Sequence, residues 1–118
     1  MKPRTDRKKL MDKLDALWSK RVLERDFYRC QLTKLPGTDP HHIFSRKNLS
    51  TRWDVDNGIT LSREQHERMK TQAGKEDLRK FLNERSPGLY DRLQELSKVV
   101  VHYKNHDLLE IYEGLKRG

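Results

Sequence analysis

The hydrophobic residues near the start of the chain recur at the spacing of an α-helix. Over residues 5–25, apolar side chains fall three or four positions apart, and lysines and arginines fill many of the positions between them. This pattern is typical of an amphipathic helix that packs one face on a core. The apolar stripe is Leu10, Leu14, Leu17, Trp18 and Val22. The basic face is open to two interpretations, contact with a phosphate backbone or a solvated surface.

The middle of the chain carries two short apolar runs separated by a polar loop. Ile43 and Phe44 form the first run, residues 58–61 form the second, and turn-forming residues bound both. Such runs predict two short strands, which we expect to pair as a hairpin. Ser62 then provides an N-cap before a run of good helix formers. Residues 39–70 therefore predict strand, loop, strand and helix.

The later part of the chain, residues 75–116, predicts further helices. Residues 75–85 carry apolar side chains at helical spacing, and Ser86-Pro87 provides a cap and a first position for a second helix. Residues 107–116 predict a short third helix. Residues 99–101, three valines, fit either a helix end or a strand. These helices are expected to cover the central motif or to form an oligomer surface.

The pattern as a whole predicts one α+β domain over residues 1–118. A chain of this length buries roughly two-thirds of its unfolded surface in one core. The expected parts are an N-terminal helix over residues 5–25, the central motif over residues 39–70 and a helical part over residues 75–116.

Positive charges outnumber negative ones. The chain has 26 Lys and Arg against 18 Asp and Glu, a formal net charge of +8. This surplus favours a polyanionic partner such as DNA, although a solvated surface explains it as well. No apolar stretch approaches the length of a membrane span, so no membrane partner is expected. A single cysteine, Cys30, and the lack of a targeting signal predict a reducing cytoplasm.

Four residues of the central motif point to hydrolytic chemistry. His41 and His42 are adjacent, Asn57 follows His42 by fifteen positions, and His66 follows Asn57 by nine. The predicted order of elements brings His66 on the helix back towards the two histidines on the first strand. Because successive strand residues point to opposite faces, we expect one of these two to bind a metal and the other to face the substrate. A neutral imidazole suits deprotonation of water, and a divalent cation suits the charge that develops during phosphodiester hydrolysis.

These residues resemble the signature of a nuclease family. The pattern His-His, Asn, His and its spacing are similar to those of the HNH endonucleases, also called ββα-metal or His-Me finger nucleases. Residues 52–61 are also similar to the segment that phage HNH proteins carry before their last His. The resemblance covers residues 20–70. It implies a ββα-metal core, a short hairpin plus a helix, flanked here by the long N-terminal helix and the C-terminal helices.

The resemblance implies a role for each signature residue. His42 matches the general base, and Asn57 matches the residue that braces the loop and orients that base. His41 and His66 match ligands of one divalent metal ion. Two imidazoles favour a loosely held Mg²⁺ or Mn²⁺, although imidazole also suits Zn²⁺ and Ni²⁺. Asp39 is either a turn cap or an additional metal ligand.

Two features depart from the family pattern. Toxin-type relatives carry a further His four residues after the last one, where this chain has Lys70, and the third metal ligand is therefore open. Many relatives also frame the motif with two Cys-x-x-Cys pairs. The corresponding positions here are Cys30, Thr33, Ser62 and Gln65. A four-cysteine zinc site is therefore excluded.

The loop between the predicted strands is rich in groups that bind phosphate. Arg46 and Lys47 are the first candidates for contacts with DNA phosphates, followed by Arg52, Arg63 and Arg68. No segment resembles a base-reading element, so we expect weak sequence preference or recognition of DNA shape, including branched or nicked DNA.

The sequence therefore predicts a small HNH endonuclease that hydrolyses DNA phosphodiester bonds by nicking or double-strand cleavage. Similarity to phage HNH proteins suggests phage DNA processing or recombination in the cytoplasm of a bacterial host. Two alternatives stay open, a non-catalytic DNA-binding module on an HNH scaffold and a metal-dependent ribonuclease. The oligomeric state is not indicated.

Overall fold

The structure of the chain, a computed structural model, describes residues 5–118, and residues 1–4 of the predicted domain lie outside that part. Within it, six α-helices accompany one two-stranded antiparallel hairpin, so the expected α+β class is confirmed. The helices are α1 (Asp6–Arg25), α2 (Leu49–Arg52), α3 (Arg63–Arg68), α4 (Gln72–Arg85), α5 (Leu89–Ser97) and α6 (Asn105–Arg117), and the strands are β1 (Asp39–His42) and β2 (Gly58–Leu61). A 3-10 turn, Val55–Asn57, precedes β2.

Helix α1 carries the main core face and agrees closely with the helix predicted over residues 5–25. It begins after Thr5, whose hydroxyl accepts a hydrogen bond from the Lys8 N–H at 3.1 Å, as a helix N-cap does. Leu14, Trp18 and Val22 are buried on one face at helical spacing. The predicted apolar stripe is therefore the face on which the rest of the chain packs.

Two apolar clusters hold the helices around the hairpin. The first joins α1 to α6 and to the loop before β2, and its buried members are Leu14, Trp18, Val22, Trp53, Leu108 and Leu115. The second joins the hairpin to α4, and its buried members are Cys30, Ile59, Leu61, Met69, Leu78 and Leu82. The hairpin therefore contacts α1 on one side and α4 on the other.

The hairpin pairs β1 and β2 in a register that opposes His41 to Ile59 and His42 to Gly58. All of β2 is buried, whereas β1 is half-buried. A carboxylate at the end of α1 also holds β2 in place, because Asp26 accepts a hydrogen bond from the Thr60 N–H at 2.9 Å. Strand β2 is thus the inner strand, and β1 carries the two histidines at the outer edge.

The predicted first strand is confirmed at His41 and His42 and is wrong at Ile43 and Phe44. Strand β1 ends at His42, before Ile43 and Phe44. The Ile43 N–H donates to the main-chain carbonyl of Asn57 at 2.9 Å, and the Phe44 N–H donates to the Asn57 side chain at 2.9 Å. The Asn57 side chain thus accepts the hydrogen bond that a partner strand would otherwise accept. The chain turns away from the hairpin directly after the His pair.

The C-terminal helices begin at other residues than predicted, α4 at Gln72 and α6 at Asn105. Ser86 is not the N-cap of α5, because the helix begins at Leu89 after Gly88, whose φ of 86° lies in the left-handed region that glycine adopts without strain. Residues 99–101 form neither a helix end nor a strand. They are an irregular link to α6. In the described part of the chain, no helix combines the length and apolarity needed to cross a membrane.

Candidate active site

His41 and His66 lie together where β1 meets α3. Helix α3 starts at the residue after Ser62, whose hydroxyl accepts a hydrogen bond from the Gln65 N–H at 3.2 Å. This start places His66 one turn into the helix, facing β1. The two imidazole rings have centroids 5.2 Å apart and planes inclined by 67°. The two histidines that the resemblance assigns to metal binding are therefore neighbours in space.

Asp39 lies behind His66 and holds its ring. The Asp39 carboxylate accepts hydrogen bonds from His66 Nδ1 at 3.0 Å, from Arg63 Nε at 3.0 Å and from the Thr38 hydroxyl at 2.7 Å. The bond from His66 is the main reason that the pKa of Asp39 is lowered. Since Nδ1 donates to a carboxylate, Nε2 is the His66 nitrogen that is available to bind a metal.

His41 is held in its neutral form. Burial is the main cause that lowers the pKa of His41 to about 4, and the neighbouring His66 and His42 imidazoles act in the same direction. A histidine with this pKa carries no proton on its ligating nitrogen near neutral pH. His41 is thus in the protonation state that a metal ligand requires.

The spacing of the two imidazoles fits a shared divalent cation. A metal-bound imidazole nitrogen lies about 2.1 Å from the ion, so two rings on one ion have centroids roughly 4.5 to 5.5 Å apart. The observed 5.2 Å falls within that range. Among residues 5–118, no group of three or more His, Cys, Asp or Glu side chains is arranged to hold a metal ion. The protein therefore offers two imidazoles, and Asp39 is already bound to one of them.

His42 points away from His41 and lies flat on α1. Its ring stacks on the indole of Trp18, with centroids 3.8 Å apart and 5° between the planes. His42 Nε2 lies 2.9 Å from the main-chain carbonyl oxygen of Arg52, and since a carbonyl only accepts, this nitrogen carries the hydrogen. Nδ1 therefore keeps the lone pair. Burial lowers the pKa of His42, so the ring is neutral near neutral pH.

Asn57 closes the loop that carries Arg52. It is fully buried, and its amide donates to the carbonyl oxygens of Phe44 at 3.0 Å and of Thr51 at 3.2 Å. Its side-chain oxygen accepts from the Phe44 N–H at 2.9 Å. Asn57 therefore joins both ends of the loop, one of which lies next to the carbonyl that binds His42.

Asp15 on α1 is a site residue that the sequence did not indicate. Its carboxylate accepts from Arg52 Nε and Nη2 at 3.0 and 2.7 Å, from Arg46 at 3.0 Å and from Trp53 Nε1 at 2.8 Å. Burial raises the pKa of Asp15, but these hydrogen bonds together lower it below its ordinary value. Asp15 therefore anchors the loop between the strands to α1.

The predicted phosphate-binding residues have different environments. The Arg52 side chain is only 12% exposed and is committed to Asp15. Arg46 shares that carboxylate from an exposed position, Arg63 pairs with Asp39 while remaining 78% exposed, and Arg68 pairs with Asp77. Lys47 is exposed on the loop. The exposed guanidinium groups and Lys47 are thus the ones that a phosphate can reach.

The positions that correspond to the missing zinc ribbon still lie close together. Cys30 is buried. Polar groups of Thr33, Ser62 and Leu32 near its thiol outweigh the effect of burial and lower the pKa of Cys30. The Cys30 thiol therefore lies where the chain before β1 meets the start of α3.

The sequence gives no direct signal for the partners of Asp15, only its place on the helix. Asp15 and Trp18 are three positions apart on α1, beside the apolar stripe, and face the same loop.

Comparison of the chain with protein-family models, with curated proteins and with solved structures finds no match.

Proposed function

We propose that this protein is a metal-dependent endonuclease of the HNH type that hydrolyses DNA phosphodiester bonds. The observation that carries the proposal is the state of His42, whose Nε2 is fixed on the Arg52 carbonyl while Nδ1 keeps its lone pair. It stands next to His41, which pairs with His66 at the spacing of two ligands on one ion. A base and a candidate cation site thus lie one residue apart.

The proposed reaction uses His42 as the general base. Nδ1 takes a proton from a water molecule, and the water oxygen bonds to phosphorus. The bond from phosphorus to the 3′-oxygen breaks, and the 3′-oxygen leaves with the bonding electron pair and takes a proton from solvent water. The products are a 5′-phosphate and a 3′-hydroxyl. The lowered pKa of His42 keeps the ring able to accept a proton at neutral pH. The Trp18 ring and the Arg52 carbonyl hold the base in one orientation.

His41 and His66 are the residues that would hold the metal. A bound divalent cation would supply positive charge against the negative charge that develops on the leaving oxygen. Asp39 orients His66 through the Nδ1 hydrogen bond. With two protein ligands, water and substrate phosphate would complete the coordination, which favours Mg²⁺ or Mn²⁺.

Charge supports a nucleic-acid substrate. The net charge of +8 and the exposed Arg46, Lys47 and Arg63 near the site favour phosphate contacts. We propose DNA as the substrate and phage DNA processing as the setting. A metal-dependent ribonuclease would use the same groups and would differ from the proposed DNA endonuclease only in its substrate.

The test is supercoiled plasmid cleavage with Mg²⁺, Mn²⁺ or EDTA, comparing the wild type with His42→Ala. His102→Ala is the matched control, because it removes an exposed imidazole on the link before α6. We expect the wild type and His102→Ala to nick the plasmid only with metal. His42→Ala should be inactive but should still bind DNA.

Metal binding is tested separately by titration calorimetry with Mn²⁺. His41→Ala and His66→Ala should lose binding, whereas His102→Ala should not. A non-catalytic DNA-binding module would give another result. Its DNA binding would be sensitive to salt but unchanged by metal or by these substitutions, and it would cleave neither DNA nor RNA.

A further inference from the structure

A groove continues from His41 along α4. It encloses a volume of ≈ 280 Å³ between the end of β1, helix α4 and the start of α5. The groove is lined by His41, Phe44 and Ser45, by Tyr90, by the α4 side chains Lys75 and Arg79, and by three apolar residues, Ile43, Met69 and Leu78. The groove therefore shares His41 with the proposed metal site.

The charged residues of the groove favour an anion. Lys75 and Arg79 are four positions apart, one turn of α4, and both are exposed on the face that lines the groove. None of the described residues lining it is acidic. Two cations at this spacing, beside His41, can bind backbone phosphates next to the one that is cleaved.

The aromatic residues of the groove favour a flat ring. Phe44 and Tyr90 contact each other with ring centroids 4.9 Å apart and planes inclined by 49°. The Arg79 guanidinium lies over the Tyr90 ring, 5.3 Å from its centroid. Aromatic and guanidinium planes are the surfaces on which proteins stack unpaired bases.

The size of the groove suits one nucleotide, with ≈ 280 Å³ of space. Stacking on Tyr90 and Phe44 inside it requires a base that is not paired. We infer that the groove binds one nucleotide with an unpaired base, next to the scissile phosphate. Lys75 and Arg79 each bind one of the two backbone phosphates that flank it, and Tyr90 and Phe44 contact its base. The inference rests on the proposed nuclease site and names its preferred substrate as DNA with an unpaired nucleotide at the cleavage position.

The test measures binding of a fluorescent single-stranded oligonucleotide and of a blunt duplex of the same length, in EDTA, so that no cleavage occurs. Lys75→Ala/Arg79→Ala should weaken single-strand binding about tenfold and lower the salt slope by about 1.4, or 0.7 per lost phosphate contact. The duplex should be affected less. Lys80→Ala/Lys98→Ala removes two exposed charges outside the groove and is the matched control.

Tyr90 tests the stacking contact. Tyr90→Leu should weaken single-strand binding about tenfold, and Tyr90→Phe, which keeps the ring, should bind as the wild type does. Thermal melts establish that each variant is folded. Equal binding by the groove and control double variants, or equal losses on single strand and duplex, would overturn the inference.

The two proposals fail in different ways. If the wild type is inactive with every metal but the groove variants lose single-strand binding, the nuclease proposal fails and the nucleotide site stands. If the wild type cleaves, His42→Ala does not, and the groove variants bind as the wild type, only the groove inference fails. A wild type that binds no oligonucleotide and cleaves no plasmid with any metal contradicts both.

Discussion

The indole of Trp18 and the imidazole of His42 lie face to face, with ring centroids 3.8 Å apart and 5° between their planes. The indole is itself fixed, because Trp18 Nε1 donates to the carbonyl oxygen of Asp54 at 2.8 Å. The Arg52 carbonyl then fixes the edge of the imidazole at 2.9 Å. Helix α1 and the loop together therefore set both the plane and the rotation of the proposed base.

Trp18→Phe tests whether the stack matters for catalysis. The smaller ring loses part of the stacked surface and the hydrogen bond to Asp54, so unfolding free energy should fall by about 1 to 3 kcal/mol. The nicking rate should fall about tenfold or more at temperatures where the protein stays folded, since a base held loosely reacts more slowly. Mn²⁺ binding should be unchanged.

The control for Trp18→Phe is Leu108→Val, a substitution in the same apolar cluster but on α6. It should lower stability by about 1 kcal/mol and leave the nicking rate near the wild-type value. If both variants lose rate in proportion to stability, Trp18 has no positioning role.

Asp15→Ala should be strongly destabilising. It leaves the Arg52 guanidinium, on a side chain only 12% exposed, and the Trp53 N–H without their acceptor. We expect a loss of about 2 to 4 kcal/mol in unfolding free energy, measured by urea denaturation. Asp15→Asn keeps an acceptor for Trp53 and should lose less.

Glu113→Ala is the comparison for Asp15→Ala, because Glu113 is an exposed carboxylate whose ion pair with Lys116 is 3.8 Å long. It should change stability by less than about 0.5 kcal/mol. A similarly small effect of Asp15→Ala would mean that the loop does not depend on this anchor.

Asn57→Ala tests the closure of the loop. It removes all three side-chain hydrogen bonds to Phe44 and Thr51 and leaves buried main-chain groups unpaired, at a cost of about 2 to 5 kcal/mol. Amide exchange should rise for residues 44–51 more than for α6. Asn83→Ala, on the exposed face of α4, should leave exchange in the loop unchanged.

Local sequence patterns predicted some of these relationships and not others. The helical spacing of apolar residues predicted α1. The order of strand, loop, strand and helix predicted that His66 lies next to His41. The end of β1 was misplaced, because Ile43 and Phe44 have the apolar pattern of a strand but their N–H groups donate to Asn57. Asp15 was missed because its partners lie more than thirty positions away, and no local periodicity reports a contact of that kind. The roles of the site residues stay predictions.

The stability of the fold should depend on Asp26 at acid pH. Its side chain is fully buried, and although burial raises its pKa, hydrogen bonds from Arg25 and from the Thr60 N–H lower it below 3.8 overall. A carboxylate whose pKa is lower in the folded chain stabilises that chain when ionised. The stabilisation is therefore complete above about pH 5 and is lost as the pH falls through 3.8 towards the folded value.

Asp26→Asn is the variant that checks this dependence. It should be less stable than the wild type at pH 7, and the difference should shrink between about pH 5 and pH 2 in urea denaturation. Asp91→Asn, at an exposed position on α5, is the control. A difference that stays constant over that range would mean that the Asp26 charge does not contribute.

The two glycines Gly58 and Gly114 should respond in opposite ways to alanine. A Cβ at Gly58 would lie 2.5 Å from Val22 Cγ2 and 2.6 Å from the Trp18 ring, so Gly58→Ala should cost about 1 to 3 kcal/mol of unfolding free energy. At Gly114, within α6, no described atom lies within 4 Å, and Gly114→Ala should stabilise by up to about 1 kcal/mol. Because the ring that Gly58 contacts is the one on which His42 stacks, Gly58→Ala should also slow nicking, whereas Gly114→Ala should not. Equal stability of both variants would contradict the close packing of β2 on α1.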